Sequence, residues 1–177
     1  RVFTSIADYT EPEVVKFLEE KEKDVVFKPY AQAALEQIKV FEKEASVLEA
    51  GELLPANRQI ARGDGAVFDP DVQGITNWTK PEAWFVWHFK MKETGEYNVE
   101  MSQAMEANGE NQFTVIIGST ALNSKAADTG DWKEYRSNGL KEMVKIEAGR
   151  TYALFLKAGE IVQPRMMNFK GVRLHKK

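Results

Sequence analysis

The sequence predicts an antiparallel β-sandwich of jelly-roll type with a short two-helix extension at its N-terminus. Three observations carry this. The hydrophobic period changes from about 3.6 residues to about 2 near residue 46. Beyond that point, strand-length segments are separated by turns containing Gly, Asn or Asp. No amphipathic helix fits between those segments, whereas parallel strands would need helical crossovers. The chain therefore divides into a helical extension, residues 1–45, and a β-sandwich domain, residues 46–177.

In chain order, Thr10 precedes Glu11-Pro12-Glu13 and reads as a helix N-cap followed by acids and a proline in the first turn. Val14, Phe17 and Leu18 follow at helical spacing. A second helix opens at Pro29 and sets Tyr30, Ala34, Ile38 and Phe41 on one stripe. Helices this short are marginal alone in water, so they are expected to dock on something larger; recruiting a partner is the alternative use of such stripes.

Six segments then read as strands: Ala83–Met91, Glu96–Gln103, Phe113–Ile117, Lys141–Glu147, Thr151–Lys157 and Met167–His175. The first is informative because alternation sends Phe85, Trp87 and Phe89 to one face and Trp84, Val86 and His88 to the other. Both faces are mainly apolar. One belongs to the sandwich core, and the other needs a cover, for which Phe17, Tyr30 or Phe41 of the helices is the expected source.

Composition limits the function. With 43% hydrophobic and 11% aromatic residues in 177, the chain can bury a sizeable core. No run approaches the roughly 20 apolar residues of a membrane-spanning helix. The net charge of −3 gives no basic footprint for nucleic acid. Residues 1–50 carry 7 Lys+Arg against 11 Asp+Glu, and the remainder carries 17 against 16. The absence of Cys removes disulfides, zinc thiolates and cysteine nucleophiles, without fixing the compartment. The opening Arg1-Val2-Phe3, with neither an initiator Met nor a charged segment leading an apolar run, reads as a processed or trimmed product.

Reactive chemistry is sparsely represented. There is no Gly-x-Ser-x-Gly elbow, phosphate-binding glycine loop, His-Glu-x-x-His pair or dinucleotide fingerprint. The two histidines, His88 within an aromatic strand and His175 near the C-terminus, are poorly placed for a relay or a metal, and His88 reads as structural. The 27 acids offer many carboxylate pairs, but most lie in mixed-charge hydrated runs such as Glu19–Asp24. We therefore expect no enzyme. Loop acids in Gly63-Asp64-Gly65 and Asp69-Pro70-Asp71 have the hard oxygens that calcium prefers, although such dipeptides are also ordinary turn formers. Asn77-Trp78-Thr79 and Asp131-Trp132-Lys133 place a Trp beside hydrogen-bonding side chains at strand boundaries. Such a ring can stack on the apolar face of a sugar while Asn and charged neighbours bond its hydroxyls; a plug at the core's edge is the alternative role.

The run Gly74–Phe89 (GITNWTKPEAWFVWHF) resembles the galactose-binding-like β-sandwich modules found at the ends of bacterial glycosidases, such as α-L-fucosidases, and of some sulfatases. These are similar to carbohydrate-binding module families six and thirty-five. Glu147–Tyr152 (EAGRTY), followed by Met167–Leu174 (MNFKGVRL), looks like the penultimate and final strands of the same modules. The resemblance covers roughly residues 46–177 and leaves the helices without a counterpart. It implies a ligand-binding role for Asn168, and for Trp78 and Trp132 as aromatics at the sugar site. Related modules often begin with a Glu-Ala-Glu strand that supplies calcium ligands. This chain reads Glu49-Ala50-Gly51, which leaves Glu49 and Asp64 as remnants of a metal site.

The expected function is non-catalytic recognition of a glycan by Asn77, Trp78, Trp132 and Asn168, in an extracytoplasmic setting and in association with a glycosidase or sulfatase that degrades polysaccharide. The alternatives are a protein-interaction module that keeps the fold without binding sugar and, more remotely, a small glycoside hydrolase with a carboxylate pair.

Overall fold

The computed structural model describes residues 6–106 and 111–177. Two helices, α1 (Pro12–Lys21) and α2 (Lys28–Glu44), precede the short strands β1 (Ser46–Leu48), β2 (Leu53–Pro55), β3 (Ile60–Arg62), β4 (Val67–Asp69) and β5 (Gly74–Thr76). The longer strands follow: β6 (Trp84–Met91), β7 (Gly95–Ala104), β8 (Gln112–Ile117), β9 (Thr120–Lys125), β10 (Arg136–Ile146), β11 (Tyr152–Ala158) and β12 (Asn168–Lys176). Among the described residues no helix is long and apolar enough to cross a membrane.

The strands form two sheets. The first runs β1-β6-β11-β8-β9, with β3 also paired to β6; the second runs β10-β7-β12-β5-β4, with β2 also paired to β12. Every pairing is antiparallel except β1 with β6. The fold is the expected mainly-β sandwich with two helices.

The alternation of β6 organises the interior. Phe85, Trp87 and Phe89 enter the core between the sheets with Tyr97, Val99 and Met101 of β7 and Phe169, Val172 and Leu174 of β12. Phe85 and Phe169 meet edge to face with centroids 5.0 Å apart, the geometry that aromatic quadrupoles favour. On the opposite face, Val86 packs with Ala153 and Phe155, and Tyr9 and Trp84 flank them. Helix α2 and the segment before α1 provide the cover: the Phe41 ring lies flat on His88, centroids 4.1 Å apart, and Tyr9 lies 4.5 Å from Phe155.

Polar contacts lock this cover in place. Asp8, nearly fully buried, receives two hydrogen bonds from the Arg62 guanidinium, and the ring Nε2 of His88 lies 2.8 Å from the Asp8 carbonyl. Thr10 differs from its expected role. Helix α1 is capped at Glu11 without a side-chain bond, and the Thr10 hydroxyl instead donates 3.1 Å across to the carbonyl of Thr151 on the sandwich. The apolar stripe is also narrower than the spacing predicts. α2 buries Ala31, Ala34, Ile38 and Phe41, while Tyr30 and, on α1, Phe17 are exposed.

At Gly171 the register of β12 against β7 shifts, φ is +151°, and an added Cβ would collide with the Leu54 carbonyl oxygen. Gly171→Ala is therefore expected to destabilise the fold by about 2 kcal/mol or more, since a strained backbone and a steric clash combine. Urea denaturation measures this directly, and an unchanged midpoint would contradict the packing.

Burial holds the His88 imidazole below its ordinary pKa of 6.5. Between that depressed value and 6.5 the unfolded chain binds more protons than the folded one, so stability is complete above 6.5 and is lost as the pH falls. Glu11 is shifted upward by burial and acts in the opposite sense. The contribution of His88 is therefore read as wild type minus His88→Gln in denaturation series across this range, and the difference should shrink on acidification.

Candidate functional site

At one rim of the sandwich, side chains from three separate stretches of sequence enclose a concavity of about 220 Å³, lined by Asp69, Asn77, Trp132, Lys133, Tyr135, Arg165 and Asn168 among others. Three of the four residues expected to touch a ligand, Asn77, Trp132 and Asn168, meet here. The fourth does not.

Trp78 is fully buried and presents no face to a ligand. Its indole Nε1 donates to the carbonyls of Lys80 and Ala83 at 3.0 and 3.1 Å, and its ring meets Phe85 edge-on at 5.0 Å. This corrects its expected stacking role. The residue is a core anchor, and because the chain reverses around it, the preceding Asn77 is left exposed on the rim with φ +52°, a left-handed conformation that Asn tolerates well.

Trp132 sits in the β9–β10 loop, half-buried against the core. Short bonds hold this loop: Thr129 Oγ1 accepts the N–H of Met105 and has the carbonyls of Met105 and Asp131 within reach of its one hydrogen, and Asp131 Oδ1 accepts the backbone N–H of Lys133. Asn168 opens β12 at only 5% exposure. Its Nδ2 donates to the Trp132 carbonyl at 2.8 Å, whereas its Oδ1 is buried with no hydrogen-bond partner. An unpaired buried acceptor is costly, about 1–3 kcal/mol, and a hydroxyl donor arriving at the concavity would remove that cost.

The sequence did not mark Arg165 as a site residue. The β11–β12 loop that carries it is fastened by Asn111, which is fully buried and uses all its hydrogen-bonding capacity on that loop. Asn111 Nδ2 donates to the carbonyls of Arg165 and Met166, and Oδ1 accepts from the N–H of Val162 and Gln163. From this support the Arg165 guanidinium lies 3.9 Å above the centre of the Trp132 ring, and Nη1 donates to Asn77 Oδ1 at 3.2 Å. Tyr135 completes the wall beneath Lys170, whose ammonium stands 4.4 Å from its ring centre. Desolvation first and the Asp69 carboxylate second push the Tyr135 phenol above its ordinary pKa, so the hydroxyl stays protonated as a donor.

The acids expected to hold calcium do not form a site. Glu49 pairs with Lys92 at 2.6 Å and Asp64 with Lys80 at 2.7 Å, and these lysines hold both carboxyls below their ordinary pKa values. Both acids are largely exposed, and among the described residues no group of three potential ligands gathers around either. A carboxylate already bound to an ammonium, with Gly51 where a second acid would stand, does not fit a hard cation that requires six or more oxygens.

A family described as "Domain of unknown function (DUF5077)" matches residues 61–140. No curated protein matches the sequence. Among solved structures, the chain is similar to a family 35 carbohydrate-binding module from Clostridium thermocellum: 10% identity, 72% of this chain and 99% of that one covered, TM-score 0.59. It is also similar to the CBM6cm-2 module of Cellvibrio mixtus lichenase 5A in complex with cellotriose, with 16% identity, coverage of 72% and 98%, and TM-score 0.56. A third likeness is to the mosquito-larvicidal Cry4Aa toxin of Bacillus thuringiensis, with 12% identity, 75% of this chain covered and TM-score 0.64. Only 25% of the toxin's length is matched. At these identities the likeness is one of fold, and it agrees with the resemblance to families six and thirty-five.

Asn111→Ala would remove the partner of two part-buried N–H groups, of Val162 and Gln163, and of the carbonyls of Arg165 and Met166. We expect a loss of roughly 2–4 kcal/mol of stability and release of the β11–β12 loop. Calorimetry reports the first effect and hydrogen exchange at Val162 and Gln163 the second; native protection at both positions would refute this anchoring role.

Proposed function

We propose that the chain is a non-catalytic glycan-binding module whose site is the rim concavity built by Asn77, Trp132, Tyr135, Arg165 and Asn168. The observation that carries this reading is Asn168, which lines a cavity walled by two aromatic rings and whose Oδ1 is a buried acceptor without a partner. Side-chain amides and a few rings around a concave, largely preformed pocket are what recognition of a small hydroxylated ligand needs. The likeness of fold to carbohydrate-binding modules supports the same class of ligand.

Catalysis has less support here. Asp69 is the one carboxylate among the residues lining the concavity, whereas glycoside hydrolysis typically uses an opposed pair. The module would serve an extracytoplasmic polysaccharide-degrading system, next to a glycosidase or sulfatase. The protein-interaction reading draws on the burial of Trp78, which removes one ring from the sugar site. The convergence of Asn77, Trp132 and Asn168 favours the glycan.

A shallow site of this kind binds at micromolar levels, about −8 kcal/mol. On a glycan array followed by calorimetry, Asn168→Ala and Trp132→Ala are each expected to weaken binding about tenfold or more, the first through a lost hydrogen bond and the second through loss of the ring that steadies Arg165 at the rim. Trp78→Phe should lower the melting temperature and leave the affinity of the folded fraction unchanged. Undiminished binding by Asn168→Ala would refute the site.

A further inference from the structure

We infer that the rim concavity selects an anionic saccharide, one bearing a carboxylate or a sulfate ester, and that Arg165 is the specificity-determining residue. The inference rests on the glycan reading of the same site and adds the chemical class of the ligand.

The first ground is the state of Trp132. Its outward face is occupied by the Arg165 guanidinium, 3.9 Å from the ring centre. A ligand entering the concavity therefore meets a cation where an unobstructed indole would have offered an apolar stacking surface. An Arg held over an aromatic ring still has N–H groups to offer a ligand in the guanidinium plane. Of the five guanidinium N–H groups, one is used by Asn77 Oδ1, and among the described residues no other side chain accepts from the rest.

The second ground is the balance of charge and of donors. Arg165 and Lys133 line the cavity, and Lys170 stands behind Tyr135; Asp69 is the opposing carboxylate. Among the described residues none of the three cations has an acid within ion-pair distance. A chain with net charge −3 thus holds unneutralised positive charge in a concave pocket. The wall also offers donors in excess: the guanidinium, the Lys133 ammonium and the Tyr135 phenol. Against these stand two acceptors, the buried Asn168 Oδ1 and the Asp69 carboxylate. The complementary ligand gives one hydroxyl hydrogen to Asn168 and presents a charged group with several acceptor oxygens to Arg165. An acidic sugar meets both demands, and a guanidinium matches its oxyanion through parallel N–H bonds.

The test compares methyl glucoside, methyl glucuronide and glucose 6-sulfate by titration calorimetry on the whole chain at low and high salt. A charge-assisted bond predicts that at least one charged sugar binds about tenfold tighter than the neutral one, with the gap narrowing as salt rises. The glucuronide and sulfate arms tell which anion is preferred. Arg165→Met should reduce the charged sugar to the affinity of the glucoside, and Arg165→Lys should retain part of the difference, with melting curves confirming that both variants fold. Equal binding of neutral and charged sugars overturns the inference and leaves the glycan reading standing. So does tighter binding of methyl glucoside by Arg165→Met, which would make Arg165 a plug on Trp132. Binding of none of the three overturns the glycan reading and this inference with it.

Discussion

A strand that is apolar on both faces must be covered twice, and the rest of this molecule follows from how β6 meets that demand. Phe85, Trp87 and Phe89 are buried against the second sheet, while Val86 and His88 are buried on the other side under Tyr9 and Phe41. Leaving the outer face bare would expose a contiguous apolar patch across β6 and β11, the kind of surface that a soluble monomer rarely presents. Helices α1 and α2 are thus part of the fold's hydrophobic closure. Because these helices are marginal alone, their order depends on the sheet they cover, through Phe41, the Asp8–Arg62 pair and the Thr10–Thr151 bond.

Closure of that face has a functional consequence. With the outer surface of the first sheet occupied, the proposed site lies at the rim, where loops from distant parts of the chain come together. Asn77 follows β5, Trp132 and Tyr135 precede β10, and Arg165 and Asn168 flank the start of β12. Each is tied to rigid structure: Asn77 through the buried Trp78, Trp132 through Asn168 Nδ2, and Arg165 through Asn111. Sites on loops are usually imprecise, and buried polar anchors of this kind compensate for that.

The parts legible in the sequence are those where a local rule had enough residues to act on. Strands β6, β7, β8, β11 and β12 span six residues or more and were found from alternation. The three-residue strands β1 to β5 could not be, since two repeats of a period are no pattern, and β9, Thr-Ala-Leu-Asn-Ser-Lys, lacks the β-branched and aromatic density that marks a strand. Tyr30 was misjudged for a related reason, because α2 rotates its buried stripe onto Ala31 and a small residue gives little hydrophobic signal. At the site, Asn77, Trp132 and Asn168 are three positions spread over 92 residues that only the topology brings together. The polar residues flanking Trp78 leave a stacking ring and a plug at the core's edge equally open from sequence. Its burial depends on two backbone carbonyls, from Lys80 and Ala83, that accept the indole N–H, and no composition rule sees a backbone acceptor. Arg165 and Asn111 carried no signal at all: the first is one basic residue in a loop, and the second derives its importance from four bonds to a segment some 50 residues away.

The arrangement around Arg165 also bears on affinity. A free arginine surrenders about 2 kcal/mol of rotamer entropy when a ligand fixes it, enough to cancel one good hydrogen bond. Here that ordering belongs largely to the folded protein. The backbone of Arg165 is held by Asn111, its guanidinium rests on Trp132, and Nη1 bonds Asn77. The indole also replaces part of the water over one face of the cation, so less desolvation remains when an oxyanion meets the edge. Preorganisation of this sort matters most in a shallow site, where few contacts are available and each must contribute nearly its full value. It also sets the limit of the proposed site: the ring that steadies the guanidinium is no longer open for stacking, so a ligand there would be selected by charge and not by apolar contact with Trp132.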